Sequence, residues 1–562
     1  MPKPNVSSEI SAWLELDASA LEEFLERVKA VLSPGEFALV KSMADALRAL
    51  ITMLQAARTT IKGLREMVFG AKTEKSQAVL KGHEKAQDAP EPSPEGKSES
   101  DPVKNKRKGH GRNGANDYAG AKRCPVPHES LKAGDRCPSC HKGKLYELRK
   151  PGIWVFVKGQ APFTAEVWEQ MKLRCSSCTE VFTAELPQEA GKQKYDPTAG
   201  SMLALMKYGC GFPFFRMDKL QKDFKTPFPL ATQWVIVAKV ASMIQPVFLE
   251  LIRVAAQGKV LYTDDTVMRI LEVSKAMTQR KLLPKPEDEE DDKDEAEKAK
   301  DRTGIFTSAL VSEVKGHRIV LFFTGTKHAG ENLATVLEER EKDLAPPIEM
   351  SDGLSRNVPK GHPVINANCL THGRRKFVKL LEDFPPECRF VIECLRGVYE
   401  VDADAKTQGL NPEERLLLHQ EKSGPIMEAL EAWLGWKIEG KVIEPNSGLG
   451  RAIKYMRKRW ERLTLFLRVA GAPLDNNLAE MVLKMAILNR KNAYFYKTQN
   501  GARVGDLFMS VIHTCRLGGV NPFEYLTALQ LHADRVKANP GEWLPWTYQS
   551  TLAAMAEKTA VG

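Results

Sequence analysis

Cysteine is scarce in this chain, ten among 562 residues, too few for a disulfide scaffold and in keeping with a reducing compartment. No apolar run approaches the roughly 20 residues needed to span a bilayer, and the opening MPKPNVSSEI lacks the apolar stretch of a secretory signal. A soluble, cytoplasmic protein without a membrane partner is therefore expected. At this length one hydrophobic core is excluded, so several domains are expected. The stretch DAPEPSPEGKSESDPVKNKRKGHGRNGAND has too few apolar side chains to build a core. It reads as a flexible linker, residues 85–120, that ends in a basic arm carrying Lys106, Arg107, Lys108 and Arg112.

The formal net charge is +10, and the excess is local. Besides the arm, it gathers in RRKF (Arg374 to Phe377), KYMRKRW (Lys454 to Trp460) and NRKN (Asn489 to Asn492). Clustered cations suit a polyanionic partner such as double-stranded DNA. Ahead of the linker, in residues 1–84, a heptad runs from Met43 through Leu47, Leu50, Leu54, Ala57, Ile61, Leu64 and Val68. This is a coiled-coil seam suited to dimerisation, with a helix packed in its own domain as the plainer alternative.

Residues 121–190 carry Cys137 and Cys140 in CPSC, and Cys175 and Cys178 in CSSC. Each CxxC offers two thiolates from one tight turn, so the pair of pairs predicts a tetrahedral structural Zn²⁺ site in a zinc ribbon. Cys124, His128 and His141 lie nearby as alternative ligands, though His141, directly after Cys140, reads better as a surface residue. Residues 191–256 are helical in pattern. FRMDKLQKDFKTPFPLATQWVIVAKVA reads as two helices joined at Thr226 to Pro229, either a helix-turn-helix or a plain helical hairpin.

From residue 257 to 500 the order changes to strand, strand, strand, helix, strand: GKVLYTD, GIFTSALVS, HRIVLFFTG, AGENLATVLEEREKDL and PIEMSD. That order matches an RNase H-like α/β domain. An acidic insert at 284–301 reads as a solvated loop, and a long helical stretch at 378–470 as an insertion into the domain. Residues 501–562 form a helical tail.

Three acids stand where metal-binding carboxylates are useful. Asp264 and Asp352 each end an apolar strand, and Glu480 lies one turn inside a helix that begins at DNN. Carboxylates so placed can converge on Mg²⁺ or Mn²⁺ for in-line displacement at phosphorus. On a helix from Asn476 to Lys491, positions 476, 480, 484 and 491 share a stripe, so Lys484 and Lys491, with Arg490 beside them, would flank the carboxylate with cations for phosphate. Leu478, Val482 and Met485 would then pack inward. Asp475 is read as a helix cap, and Asp265 as pointing away from Asp264 by strand alternation. In CLTHGRRKF, His372 could relay a proton or position substrate, and Arg374, Arg375 and Lys376 could clamp phosphates.

The heptads with MVFGAKTEK, the GHGR arm, the two CxxC pairs, YTDDT, SDGLSRN, CLTHGRRKF and PLDNNLAEMVLKMAILNRKN together resemble transposases of the insertion-sequence 66 family, a bacterial DDE group. The resemblance implies a DDE triad of Asp264, Asp352 and Glu480 on an RNase H-like core with Mg²⁺ as cofactor. It also implies that the N-terminal half binds the element's terminal inverted repeats. The partners implied are transposon ends and target DNA, a dimer or higher oligomer, and co-encoded accessory proteins, in a bacterial, nucleoid-associated setting. The sequence departs from the family pattern at Asp265, where many relatives carry Glu, and in the acidic insert. Two other classes are set against this reading, an inactive or domesticated DNA-binding regulator and a coiled-coil and zinc scaffold for proteins.

Overall fold

The computed structural model describes residues 25–30, 130–146, 160–174, 181–190, 193–281 and 304–561, with isolated residues between them. The heptad from Met43 to Val68, the linker and basic arm with Lys106, Arg107, Lys108 and Arg112, Cys175, Cys178, Cys124, His128 and the acidic insert lie outside the described residues. The chain divides into two compact units, Pro90–Thr164 on one hand and Met1–Ala89 with Ala165–Gly562 on the other. The stretch 121–190 contributes to both.

In the smaller unit, the described chain around Cys137 and Cys140 is a tight hairpin. Arg136 bridges Lys144, Cys137 N–H donates to Gly143 O at 2.8 Å, and His141 N–H donates to Cys137 O at 2.9 Å. His141 takes a positive φ of 56° to close the turn. In the larger unit, β1 (Lys172–Arg174) and β2 (Val181–Thr183) pair antiparallel on either side of the CSSC segment.

Three helices follow: α1 (Pro197–Ala204), α2 (Phe214–Asp223) and α3 (Leu230–Ala255). The two-helix reading of residues 214–255 holds, with the joint at Phe224 to Pro229. Gln233 holds that joint shut by donating to Phe228 O at 2.6 Å. Helix α3 corrects the estimate of apolar runs, because its 26 residues are long and apolar enough to cross a membrane by length and composition alone. Counting uninterrupted apolar residues missed it, since Lys239, Gln245 and Glu250 punctuate the run. The helix buries Val237, Val240, Ala241, Ile244, Val247 and Leu251, and it packs against α1 and the C-terminal helices.

The centre of the unit is a mixed five-stranded sheet, ordered β5-β4-β3-β6-β7. Its strands are β3 (Val260–Val267), β4 (Phe306–Val314), β5 (His317–Gly325), β6 (Ile348–Ser351) and β7 (Ile365–Asn368). β3, β4 and β5 form an antiparallel meander, while β3, β6 and β7 run parallel. Helix α4 (Leu271–Lys281) follows β3, and α5 (Ala329–Leu337) provides the crossover from β5 towards β6. Thr307 to Ser312 of β4 are all buried, so both faces of the sheet are covered there.

Next come α6 (Leu370–Val378) and a helical stretch made of α7 (Pro385–Gln408), α8 (Pro412–Leu418), α9 (Gly424–Glu439), α10 (Gly448–Lys458) and α11 (Trp460–Leu463). The chain then returns to the sheet with α12 (Asn477–Ala493) and α13 (Gln499–Leu517), and continues through α14 (Pro522–Leu531), α15 (Ala533–Ala538) and α16 (Tyr548–Val561). Helix α13 closes the β5 edge. Asp506, Ser510 and Thr514, one helical turn apart, accept hydrogen bonds from Thr324 N, Phe322 N and Val320 N at 2.7, 2.9 and 3.0 Å. Side chains thus satisfy the alternate N–H groups that an edge strand leaves unpaired.

Candidate active site

Strand register brings two of the acids together. Tyr262 pairs with Met350 in the parallel ladder, and two residues further along each chain stand Asp264 and Asp352. Asp264 lies on β3 and Asp352 opens the turn one residue past β6, so the register brings the two acids to the same end of neighbouring strands, near enough for Asp352 to repel the Asp264 carboxylate. Helix α12 supplies the third acid, and its position is fixed by buried Asn476. The Asn476 side chain donates to Thr263 O at 2.8 Å, and its N–H donates to Cys369 Sγ at 3.2 Å. This ties the helix start to the residue before Asp264 and to the residue before α6. Glu480 follows one turn later.

The electrostatics agree with that convergence. Burial, opposed in part by the Asp265 N–H at 2.8 Å, and repulsion from Asp352, Glu480 and Asp265 push the Asp264 carboxyl up to about 7. Asp352 Oδ1 accepts from Leu354 N and Asn357 Nδ2 at 3.0 and 2.8 Å, which fixes the turn that presents it. Glu480 Oε2 accepts from Arg375 at 2.9 Å, while its buried Oε1 has no hydrogen bond and lies 3.6 Å from His372 Nδ1. Asp264 with the two carboxylates that repel it, one of which has an unsatisfied buried oxygen, offers the hard oxygen donors that suit a divalent cation. Cys369 Sγ also lies within 4.8 Å of the His372 and Glu480 ligand atoms. Burial pushes that thiol up to about 11 and so keeps it protonated, which argues against it as a ligand.

Asp265 points elsewhere, as strand alternation requires. Its carboxylate, with a side chain 3% exposed, meets His328 Nδ1 at 3.0 Å and Arg356 at 3.2 Å. His328 precedes α5 and Arg356 lies just beyond Asp352, so Asp265 holds the Asp352 turn against the crossover helix. Asp475 accepts from Asn477 N at 3.1 Å, a local turn bond at the helix start.

The cations divide into tied and open. Arg374 is buried at 6% exposed, which removes it from phosphate contact in this conformation. Arg375 is engaged with Glu480. Arg490 donates to Thr266 Oγ1 at 3.2 Å and also to Val267 O, pinning α12 to the end of β3. Lys376, Lys484 and Lys491 are exposed. The buried face of α12 is Ala479, Val482, Leu483, Ala486 and Asn489, so of the three side chains expected to pack inward Val482 alone is fully buried, and Asn476 anchors the helix rather than facing phosphate. Sequence reading overlooked Asn357, Arg356 and His328. The turn SDGLSRN held the signal for the first two, because an Asp-Gly turn leaves its carboxylate within reach of side chains a few residues on.

Comparison with known proteins identifies the family. The family model described as "Transposase IS66 family" matches residues 192–504, which include every element just described. The chain belongs to the IS66 transposase family. Among curated proteins it is similar to three uncharacterized proteins of Sinorhizobium fredii. It is 33% identical to y4hP over 207 residues, 35% of this chain and 37% of that protein. It is 24% identical to y4jD over 361 residues, 63% of this chain and 66% of that protein, and 30% identical to y4qI over 166 residues, 29% of each. The matched stretches span less than two thirds of the length of each relative.

Proposed function

We propose that this chain binds the terminal inverted repeats of a transposon, cuts phosphodiester bonds at its ends and joins the freed 3′-hydroxyl to target DNA. Its catalytic core, on this reading, is RNase H-like, interrupted by the helical insertion, and Asp264, Asp352 and Glu480 are its DDE triad. The observation that carries the proposal is the convergence of these carboxylates from β3, the turn after β6 and α12, with Asp264 raised to about 7 by burial and by its neighbours. Two divalent cations, Mg²⁺ or Mn²⁺, held by the triad would activate the attacking water or hydroxyl and stabilise both oxygens of an in-line displacement. The chain's own side chains do the positioning. Asn476 and Arg490 hold α12 on β3, Asn357 orients Asp352, and Arg375 with His372 orients Glu480. Lys376, Lys484 and Lys491 meet the DNA backbone, with the basic arm of Lys106, Arg107, Lys108 and Arg112 adding contacts that carry no sequence information.

The four-cysteine zinc site of Cys137, Cys140, Cys175 and Cys178 belongs to the same proposal. It is supported by the hairpin at Cys137 and Cys140, where hydrogen bonds from the Gly143 and Lys142 backbone and from Cys137 lower the Cys140 pKa towards the thiolate that zinc requires. Dimerisation through the heptads, co-encoded accessory proteins and a place in the bacterial cytoplasm at the nucleoid complete the reading. The test is cleavage of DNA carrying the gene's own flanking ends, with Mg²⁺ or Mn²⁺, by the unaltered protein and by Asp352→Ala. Metal-dependent nicking at the element boundary, lost in the variant, is the expected result. Equal cutting by both proteins would overturn the site, and binding of the ends without cutting by either would favour the regulator.

A further inference from the structure

The helical insertion reaches the Asp352 turn through Tyr455 and Arg459, and the approach is cationic. Tyr455 of α10 donates its hydroxyl to Asp352 O at 3.1 Å. Arg459, just past the same helix, donates to Gly353 O at 3.3 Å. The approach is close. Gly353 has φ +81°, and a Cβ there would lie 3.0 Å from both Arg459 Nε and Asn368 Oδ1, so a larger residue would be strained at this turn. Two cations share the Tyr455 ring, the Arg459 guanidinium at 4.2 Å and the Lys376 ammonium of α6 at 4.3 Å from its centroid.

This arrangement is poorly balanced as it stands. Among the described residues neither Lys376 nor Arg459 has a carboxylate partner. Partial burial of its stem, and to a lesser degree the charges of Arg459 and Lys379, lower the Lys376 pKa. Structural cations usually find an acid. Two that are stacked on one aromatic ring and left without an acid, with Arg459 bonded to the Gly353 carbonyl and the ring's own hydroxyl to the Asp352 carbonyl, are arranged to receive an anion.

We infer that Lys376, Tyr455 and Arg459 form a phosphate seat that holds the DNA strand beside the bond being cut. The inference rests on the transposase reading and deepens it. A strand whose scissile phosphate lies at the three acids carries one charge about every 3.4 Å along its axis, so a neighbouring phosphate reaches the turn after Asp352. The Tyr455 ring carries the two cations rather than a base, which makes the contact one with backbone and indifferent to sequence. Because the seat grips the carbonyl of Asp352 itself, strand binding and the placement of that acid are joined.

The test uses the full-length protein without divalent metal and a fluorescent duplex carrying the gene's own end. Affinity is measured by anisotropy between 50 and 200 mM salt for the unaltered chain, Lys376→Gln, Arg459→Gln and the charge-keeping pair Lys376→Arg with Arg459→Lys. Each lost phosphate contact should reduce the affinity decline across that salt range by about 3.5-fold, and the charge-keeping pair should restore the full decline. Single methylphosphonate substitutions around the boundary add a readout that a purely structural residue would not move. One position should weaken the unaltered chain and leave Lys376→Gln unaffected. Since the Lys376 side chain is exposed, that variant keeps the fold even if Arg459→Gln does not. An unchanged salt dependence in Lys376→Gln, with no position whose effect it abolishes, would overturn the seat. Failure of the unaltered chain to bind its own ends would overturn the transposase reading itself.

Discussion

Replacing Asp264 with Asn should stabilise the protein above neutral pH while abolishing cleavage. Burial and the neighbouring acids hold the Asp264 carboxyl at about 7, against 3.8 for an ordinary aspartate. The folded state therefore binds this proton more tightly than the unfolded state, and in the window between those values it keeps a proton that the unfolded chain has released. Stability falls as pH rises through that window and levels off above 7. At 1.36 kcal/mol for each pH unit, the ionised carboxylate weighs against folding by on the order of 4 kcal/mol at pH 8. Asn cannot ionise, and its side-chain oxygen can still accept from the Asp265 N–H. The variant should match the unaltered protein near pH 3.5 and exceed it progressively to pH 8. Thermal melts of both proteins in a chelator, followed by circular dichroism across that range, measure the difference. Added Mg²⁺ should then raise the melting temperature of the unaltered protein at pH 8, because a ligand bound to the native state alone stabilises it, and should do so less in the variant. A difference between the two proteins that does not vary with pH, or a variant less stable at pH 8, would refute the account of Asp264 as a strained carboxylate awaiting a cation.

Three further outcomes follow from other parts of the molecule. Ser510→Ala removes the acceptor for Phe322 N–H on the edge strand and should cost about 1–3 kcal/mol, seen in a denaturant melt and as faster amide exchange confined to β5. Asp402, in the helical insertion, is raised by burial, but hydrogen bonds from His419 and Lys406 and the charges of Arg415 and Lys406 outweigh that and hold its pKa well below the usual carboxylate range. Such a group stabilises above its unfolded pKa and loses that contribution as pH falls. Asp402→Asn should therefore destabilise by about 3 kcal/mol at pH 7 and by progressively less under acid, measured in the same melts. Purified protein should carry zinc measurable by atomic emission, and Cys140→Ser should lose it while the melt of the sheet domain stays unchanged.

Much of the sheet could be read from the sequence because its strands are short apolar runs in a distinctive order, and periodicity reports burial directly. The observed order of strands and crossover helix is the one the pattern predicts, and the two-helix reading of residues 214–255 came from its FKTPFP punctuation. Helix α3 was misjudged because its three polar interruptions lie on a surface that tertiary packing leaves partly open, and a linear count cannot tell such a helix from several short ones. The cations were harder still. Arg374, Arg375, Lys376 and Arg490 look alike in sequence, yet one is buried, two are tied to Glu480 or β3, and one lies open on the Tyr455 ring.

The pair Asp264 and Asp265 shows how far local rules reach and where they stop. Alternation along β3 requires the two carboxylates to face apart, and they do. It cannot say which of them meets Asp352. That depends on the parallel register of Tyr262 with Met350, a relation between residues far apart in the chain that no local pattern encodes. Once the register is known, the roles separate. The side facing Asp352 and Glu480 gathers three like charges, which is unfavourable without a cation. The other side gives Asp265 two cationic or polar partners, His328 and Arg356, and so turns the same chemical group into a clamp for the Asp352 turn. An aspartate that repels its neighbours and one that binds them thus sit side by side. Because the second holds the Asp352 turn in place, the site depends on the pair and not on Asp264 alone.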